Sequence, residues 1–277
     1  MIALYSTAGI SRQAHFKALK RIEQQRASTQ ALLVDVEHIR HVHPRLGARK
    51  LYKMLLPPGM GRDRFEKLLM ENGYRLNPVR SYHRTTYSQR IRIYPNLISG
   101  LTITKPQQLW VTDITHFRIK ERFYYITLIM DVYTRMVVGH SVSANMQAES
   151  NINALKRAFK GKGKELLKGL IHHSDRGSQY IDLEYRELLD THGICISMGN
   201  RAWENAHAER INGIIKNEYL HHFKINNYED LIKQTNKTVK LYNERRPHGS
   251  LPLMATPIQM VLQASSSFHD YSVKINY

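Results

Sequence analysis

Three carboxylates stand out, each in its own surround. Asp113 lies in Leu109-Trp110-Val111-Thr112-Asp113-Ile114-Thr115, and Asp175 in His172-His173-Ser174-Asp175-Arg176-Gly177-Ser178-Gln179-Tyr180. Glu209 lies in Glu204-Asn205-Ala206-His207-Ala208-Glu209-Arg210. The two aspartates follow apolar, strand-like runs, and the glutamate sits in a helix-like run. Carboxylates are the hard oxygen donors that Mg²⁺ and Mn²⁺ prefer. Two such ions about 3.5–4 Å apart can clamp the attacking and leaving oxygens of an in-line displacement. The chemistry to expect is metal-dependent cutting and joining of phosphodiesters.

Other residues compete for that role. Asp131 ends a strand-like run and reads as a structural partner of Arg135; Glu204 and Glu218 lie off the helical face of Glu209. Fifteen histidines invite a zinc reading, but His41/His43, His172-His173 and His221-His222 lack cysteine partners and i,i+4 pairing. Structural roles or phosphate contacts suit them better. Neither a GxSxG elbow nor a phosphate-cradling Gly-rich loop occurs, which argues against serine-type hydrolysis and ATP use.

The acids must be brought together by their elements. From Leu109 onward the runs 109–118, 123–132 and 135–142 are rich in β-branched and aromatic residues, with short gaps, and read as an antiparallel meander. A helix near 147–160, a strand at 169–173, a helix near 182–192 and a strand at 194–197 follow. A long helix from about Trp203 carries Glu209, and a last helix spans about 227–245. The order β-β-β-α-β-α-β-α predicts an α/β fold with a mixed sheet. If the first and fourth strands are neighbours, Asp113 and Asp175 meet and a helix brings in Glu209.

The region ahead of this reads as helical. Helices are expected at 10–26, with Ser11 as N-cap, and at 31–42, ended by Pro44. Two short helices follow at 46–55 and 61–70, separated by Pro57-Pro58-Gly59 and closed by Asn72-Gly73. Such a basic pair fits a helix-turn-helix, with Arg49, Lys50, Lys53, Arg62, Arg64 and Lys67 as candidate DNA contacts. Tyr82, Tyr87 and Tyr94 alternate with Arg80, Arg84, Arg90 and Arg92 in a connector that reads equally as a DNA-tracking linker or a solvated tether. The expected division is 1–74 helical DNA-binding region, 75–105 basic linker, 106–225 catalytic core and 226–277 C-terminal helix and tail.

Charge supports a polyanionic partner. The chain of 277 residues carries a net charge of +18. Residues 1–105 hold 19 Lys and Arg against 6 Asp and Glu, so most of the excess precedes the acidic motifs. DNA phosphates would be neutralised there with counterion release. With 42% hydrophobic and 23% charged residues the chain reads as globular. It lacks an apolar run long enough to span a bilayer, and its N-terminus is a poor signal peptide. The single cysteine, Cys195, rules out an internal disulfide and fits the cytoplasm.

Taken together, the three acidic surrounds, the run Leu241-Tyr242-Asn243-Glu244-Arg245-Arg246-Pro247-His248-Gly249-Ser250-Leu251 with Thr256-Pro257, and His43-Pro44-Arg45-Leu46-Gly47-Ala48-Arg49-Lys50-Leu51 resemble one family. It is the second-reading-frame transposase of the third bacterial insertion-sequence family, with its retroviral-integrase-like core. The resemblance implies a ribonuclease-H-like core in which Asp113, Asp175 and Glu209 form an Asp-Asp-Glu triad holding two Mg²⁺ or Mn²⁺ ions. It implies that Lys216, seven residues after Glu209 on the same helical face, contacts the element's end. It further implies terminal inverted repeats and target DNA as partners, a homo-oligomer on DNA, and fusion or partnership with an upstream-frame helix-turn-helix protein. Only 33 residues separate Asp175 from Glu209, slightly fewer than the family's usual spacing, the shortfall lying in Met198-Gly199-Asn200-Arg201-Ala202-Trp203. The expected activity is strand cleavage at the element's ends followed by attack of the freed 3′-hydroxyl on a second phosphodiester. A nuclease on the same core, and an inactive or domesticated copy serving as a DNA-binding regulator, are the alternatives.

Overall fold

A computed structural model describes residues 9, 11–77, 94–266 and 271–276. The chain divides into two compact units, Met1–Leu76 and Asn77–Tyr277.

In the first unit, helix α1 spans Arg12–Val42, opened by Ser11, whose hydroxyl accepts from Ala14 N at 3.0 Å. The two helices expected here are one. Residues 27–30 contain neither Gly nor Pro, so nothing stops propagation. Helices α2 (Ala48–Leu55) and α3 (Arg62–Glu71) follow. Asn72 closes α3, its side-chain amide donating to Leu68 O at 2.8 Å. Leu33 and Val36 of α1 pack with Leu46, Leu51, Phe65 and Leu69 into a separate small core. Each such side chain contributes about 1.5–3 kcal/mol on burial.

The second unit is a five-stranded mixed sheet flanked by helices. Its strands are β2 (Leu109–Ile119), β3 (Arg122–Asp131), β4 (Val137–Ser143), β5 (Ile171–Ser174) and β6 (Cys195–Met198), in the order β4-β3-β2-β5-β6. The pairings β2–β3 and β3–β4 are antiparallel; β2–β5 and β5–β6 are parallel. Helices α4 (Ala148–Phe159) and α6 (Leu183–Asp190) bury Ile152, Leu155, Phe159, Tyr185 and Leu189 against Trp110, Ile129 and Met198 of the sheet. A short helix, α5 (Lys164–Leu167), lies between them in sequence. Gly139 of β4 is required by this packing, because a Cβ there would lie 2.2 Å from Ala154 O.

Helix α7 (Ala206–Gly213) begins later than expected, after a 3₁₀ turn at Ala202–Asn205. It continues as a π-helix over Ile214–Tyr219. Helix α8 (Tyr228–Arg245) leads to α9 (Pro257–Ser266) and a short strand, β7 (Val273–Lys274). That strand pairs antiparallel with β1 (Thr102–Ile103), a ladder not anticipated from the sequence.

Most of the proposed 75–105 linker, including Tyr82, Tyr87, Arg80, Arg84, Arg90 and Arg92, lies outside the described residues. Its end is not a tether. Tyr94 packs against the core of the second unit, Ile98 and Ile103 are fully buried, and Leu97 N donates to Ser197 Oγ at 2.9 Å.

Candidate active site

Strand register brings the two aspartates side by side. Leu109, Trp110 and Val111 pair in parallel with Ile171, His172 and His173. Continuing that register two residues sets Asp113, inside β2, against Asp175, just beyond β5. Asp113 is half-buried, while Asp175 and Glu209 are exposed. Helix α7 packs across β2 through two buried amides. Asn205 Nδ2 donates to Thr112 O at 2.9 Å, and Asn212 Nδ2 donates to Asp113 Oδ2 at 3.0 Å. Glu209 lies on the intervening turn, in the first turn of α7.

The electrostatics follow from this crowding. Desolvation, then the charge of Asp175, pushes Asp113 up to about 7, against the hydrogen bond from Asn212. Desolvation raises Asp175, opposed by the Gly177 N–H, which donates to Asp175 Oδ1 at 3.0 Å. Glu209 is raised by desolvation and by Asp175. Like charges held close are relieved by a cation between them. The donor set suits a hard divalent ion: carboxylate oxygens, with Asn212 Oδ1 buried and without a hydrogen-bond partner on the amide that holds Asp113. Among the described residues no three His, Cys, Asp or Glu converge closely enough to hold one ion together. Mg²⁺ does not demand that, since one or two carboxylates suffice when water and phosphate complete its shell.

Lys216 falls elsewhere than a regular helix would put it. Its Nζ donates to Thr115 Oγ1 at 3.0 Å. Thr115 is two residues from Asp113 and so on the same side of the strand. The helix is π-helical over Ile214–Tyr219, so the turn that carries Lys216 departs from regular α-helical spacing. Burial lowers the Lys216 ammonium and the nearby Asp113 charge raises it.

The competing acids have structural work. Asp131 is buried and caps the β3–β4 turn, accepting from Thr134 N and Thr134 Oγ1, both at 2.8 Å, and from Gln107 N at 2.7 Å. Arg135, its expected partner, acts on Asp131 through its charge, while its guanidinium also lies 2.8 Å from His207 Nδ1. The Glu204 carboxylate accepts from the backbone of Asn200 and Arg201, closing the short loop before α7. Glu218 takes two hydrogen bonds from Arg246, at 2.9 and 2.8 Å. His172 and His173 are core residues bonded to Tyr185 OH at 2.5 Å and Ser197 Oγ at 2.8 Å, and burial holds them down at about 3 and about 4.

Residues 103–202 match the family described as "Integrase core domain", and residues 193–257 match a second family of the same description. A 31 kDa protein of insertion element IS600 from Shigella sonnei is 32% identical over 88% of this chain and 92% of its own length. The transposase for IS629 from the same organism is 31% identical, covering 74% and 70%. The chain belongs to the insertion-sequence transposases of the third family, with an integrase core. A further transposase relative, that of IS986/IS6110 from Mycobacterium tuberculosis, is 32% identical over 76% of this chain and 81% of its own. Among solved structures, the HTLV-2 integrase catalytic core domain in complex with magnesium aligns with 57% of this chain and 98% of its own, at TM-score 0.46 and 22% identity. The match to the integrase-core family falls on the transposase's five-stranded mixed sheet, β4-β3-β2-β5-β6. None of its helices is long and apolar enough to cross a membrane, among the described residues.

The transposase's candidate DNA contacts in the first unit differ in availability. Arg49 lies 3.4 Å from Glu66, Arg62 pairs with Asp63 at 2.8 Å, and Lys67 lies 3.8 Å from Glu71. Lys53 and Arg64 are exposed, and Lys50 is half-buried. Sequence reasoning gave no contact to Asn205, Asn212 or Arg246 and paired Arg135 only with Asp131. Only the fourfold spacing of Asn205, Glu209 and Gly213, with Asn212 and Lys216 flanking, offered a signal.

Proposed function

We propose that this transposase cuts DNA strands at its element's ends and joins them to target DNA at a site built from Asp113, Asp175 and Glu209. The observation that supports this most is the parallel pairing of β2 with β5, which aligns Asp113 with Asp175 beneath the helix of Glu209. These three acids would hold the Mg²⁺ or Mn²⁺ ions between them. Bound Mg²⁺ supplies Lewis acidity at the attacking and leaving oxygens.

The chain's own groups do the rest. Asn212 fixes the orientation of Asp113, as an outer partner of a ligand should. Asn205 ties the start of α7 to the backbone of β2, so Glu209 keeps its distance from the sheet. Lys216 offers an ammonium next to Asp113, where it can hold a phosphate adjoining the scissile one. Lys53, Arg64 and their basic neighbours in the first unit would grip the duplex through phosphates. Several copies would act together on paired ends. The test is a strand-transfer assay with the element's terminal repeat and Mg²⁺, in which cleaved and joined products must both appear. Hydrolysis without joining would leave only a nuclease.

A further inference from the structure

The C-terminal run Leu241–Leu251 was recognisable as a motif but had no chemistry attached to it. In the fold its buried members, Tyr242, Asn243 and Arg246, reach toward both ends of the helix that carries Glu209 and Lys216. At the near end, Tyr242 OH donates to Arg135 O at 3.0 Å, and Asn243 bonds both Val137 N and Val137 O at 2.9 Å. Arg135, held there at φ 61°, reaches His207, two residues before Glu209. At the far end, the Arg246 guanidinium is 2% exposed and forks onto Glu218, two residues after Lys216. Glu218 belongs to the π-helical turn, a geometry that is rare and needs outside support.

We infer that Arg246 is a positioning residue: by gripping Glu218 it holds the π turn so that Lys216 reaches Thr115 on β2. A planar, bidentate fork restrains both the position and the rotation of its partner, which a point charge does not. Without that grip the turn can relax toward regular α-helix, rotating Lys216 away from the strand. The geometric claim stands by itself; its consequence for catalysis rests on the function proposed above.

The pair can be removed without leaving a buried charge. Replacing both partners of such a pair is far better tolerated than removing one. The full-length double variant Arg246→Met/Glu218→Gln should therefore melt within a few degrees of wild type. Lysines are then labelled with an amine-reactive reagent in the absence of DNA and read by mass spectrometry. Lys162, whose Nζ donates to Ala158 O at 2.6 Å, is the internal control. Labelling of Lys216 should rise roughly tenfold, as local opening exposes it, while Lys162 is unchanged. Unchanged labelling of Lys216 overturns the inference, and so does an equal rise at both lysines, which marks general loosening. If the double variant fails to fold, Arg246→Lys serves, with a smaller rise expected at Lys216 and none overturning the claim. In strand transfer, Lys216→Ala should reduce end use in the wild-type background and have little further effect in the double variant. No effect of Lys216→Ala in either background would refute the proposed DNA role of Lys216 and leave the labelling result to judge the clamp.

Discussion

The side-chain amide of Asn212 donates to Asp113 at 3.0 Å, tying the helix of Glu209 to the central strand of the sheet. Asn212 holds Asp113 through Oδ2, and the Ile114 N–H also hydrogen-bonds this carboxylate. Outer partners of this kind typically govern metal affinity by 10–100-fold. Asn212→Ala should raise the Mg²⁺ concentration for half-maximal cleavage by about tenfold while leaving maximal cleavage nearly intact. A titration with the same midpoint as wild type would remove Asn212 from the site.

Asp113 carries a stability cost that depends on pH. Its folded value is pushed up to about 7 from an ordinary 3.8, so the folded state holds the proton more tightly than the unfolded chain. Stability is therefore lost as pH rises through that window in metal-free buffer. Asp113→Asn should melt several degrees above wild type at pH 8 in EDTA, with the gap closing near pH 4. Mg²⁺ at pH 8 should raise the melting temperature of wild type and not of the variant. Equal melting of the two proteins at pH 8 in EDTA would contradict this.

The first unit should bind DNA by phosphate neutralisation. Lys53 and Arg64 are exposed, whereas Arg62 is engaged by Asp63. In the full-length protein, Lys53→Glu/Arg64→Glu should weaken binding to any duplex and reduce the slope of log affinity against log salt by about 2. Arg62→Ala should have a smaller effect. An unaltered slope for the double variant would place DNA on another surface.

Much of the core was legible because its strands announce themselves locally. The runs around Trp110, Ile129 and Val138 have strand composition and short gaps, so the meander and the adjacency of the first and fourth strands could be anticipated. What escaped was set by contacts remote in sequence. Nothing near Ile214 signals a π turn; Arg246, 28 residues beyond Glu218, accompanies it. The buried role of Asp131 depends on hydrogen bonds from Gln107 and Thr134, with the charge of Arg135 as a further contribution; only the last was legible from neighbouring residues. The β1–β7 ladder joins segments too short to show any period. The continuity of α1 was missed for a different reason: its apolar pattern weakens between Arg26 and Ala31, although the backbone has no cause to stop.

The central claim is that Asp113, Asp175 and Glu209 hold the ions at which strands are cut and joined. Asp175→Asn tests it most directly, because Asp175 is exposed and its loss removes no buried contact beyond the Gly177 N–H. Asp131 and Glu204 are unsuitable controls, since both hold turns; exposed Glu244→Gln is the better one. In a strand-transfer assay with the terminal repeat and Mg²⁺, Asp175→Asn should abolish cleavage and joining while DNA binding persists, and Glu244→Gln should retain both. Full cleavage by Asp175→Asn would contradict the account.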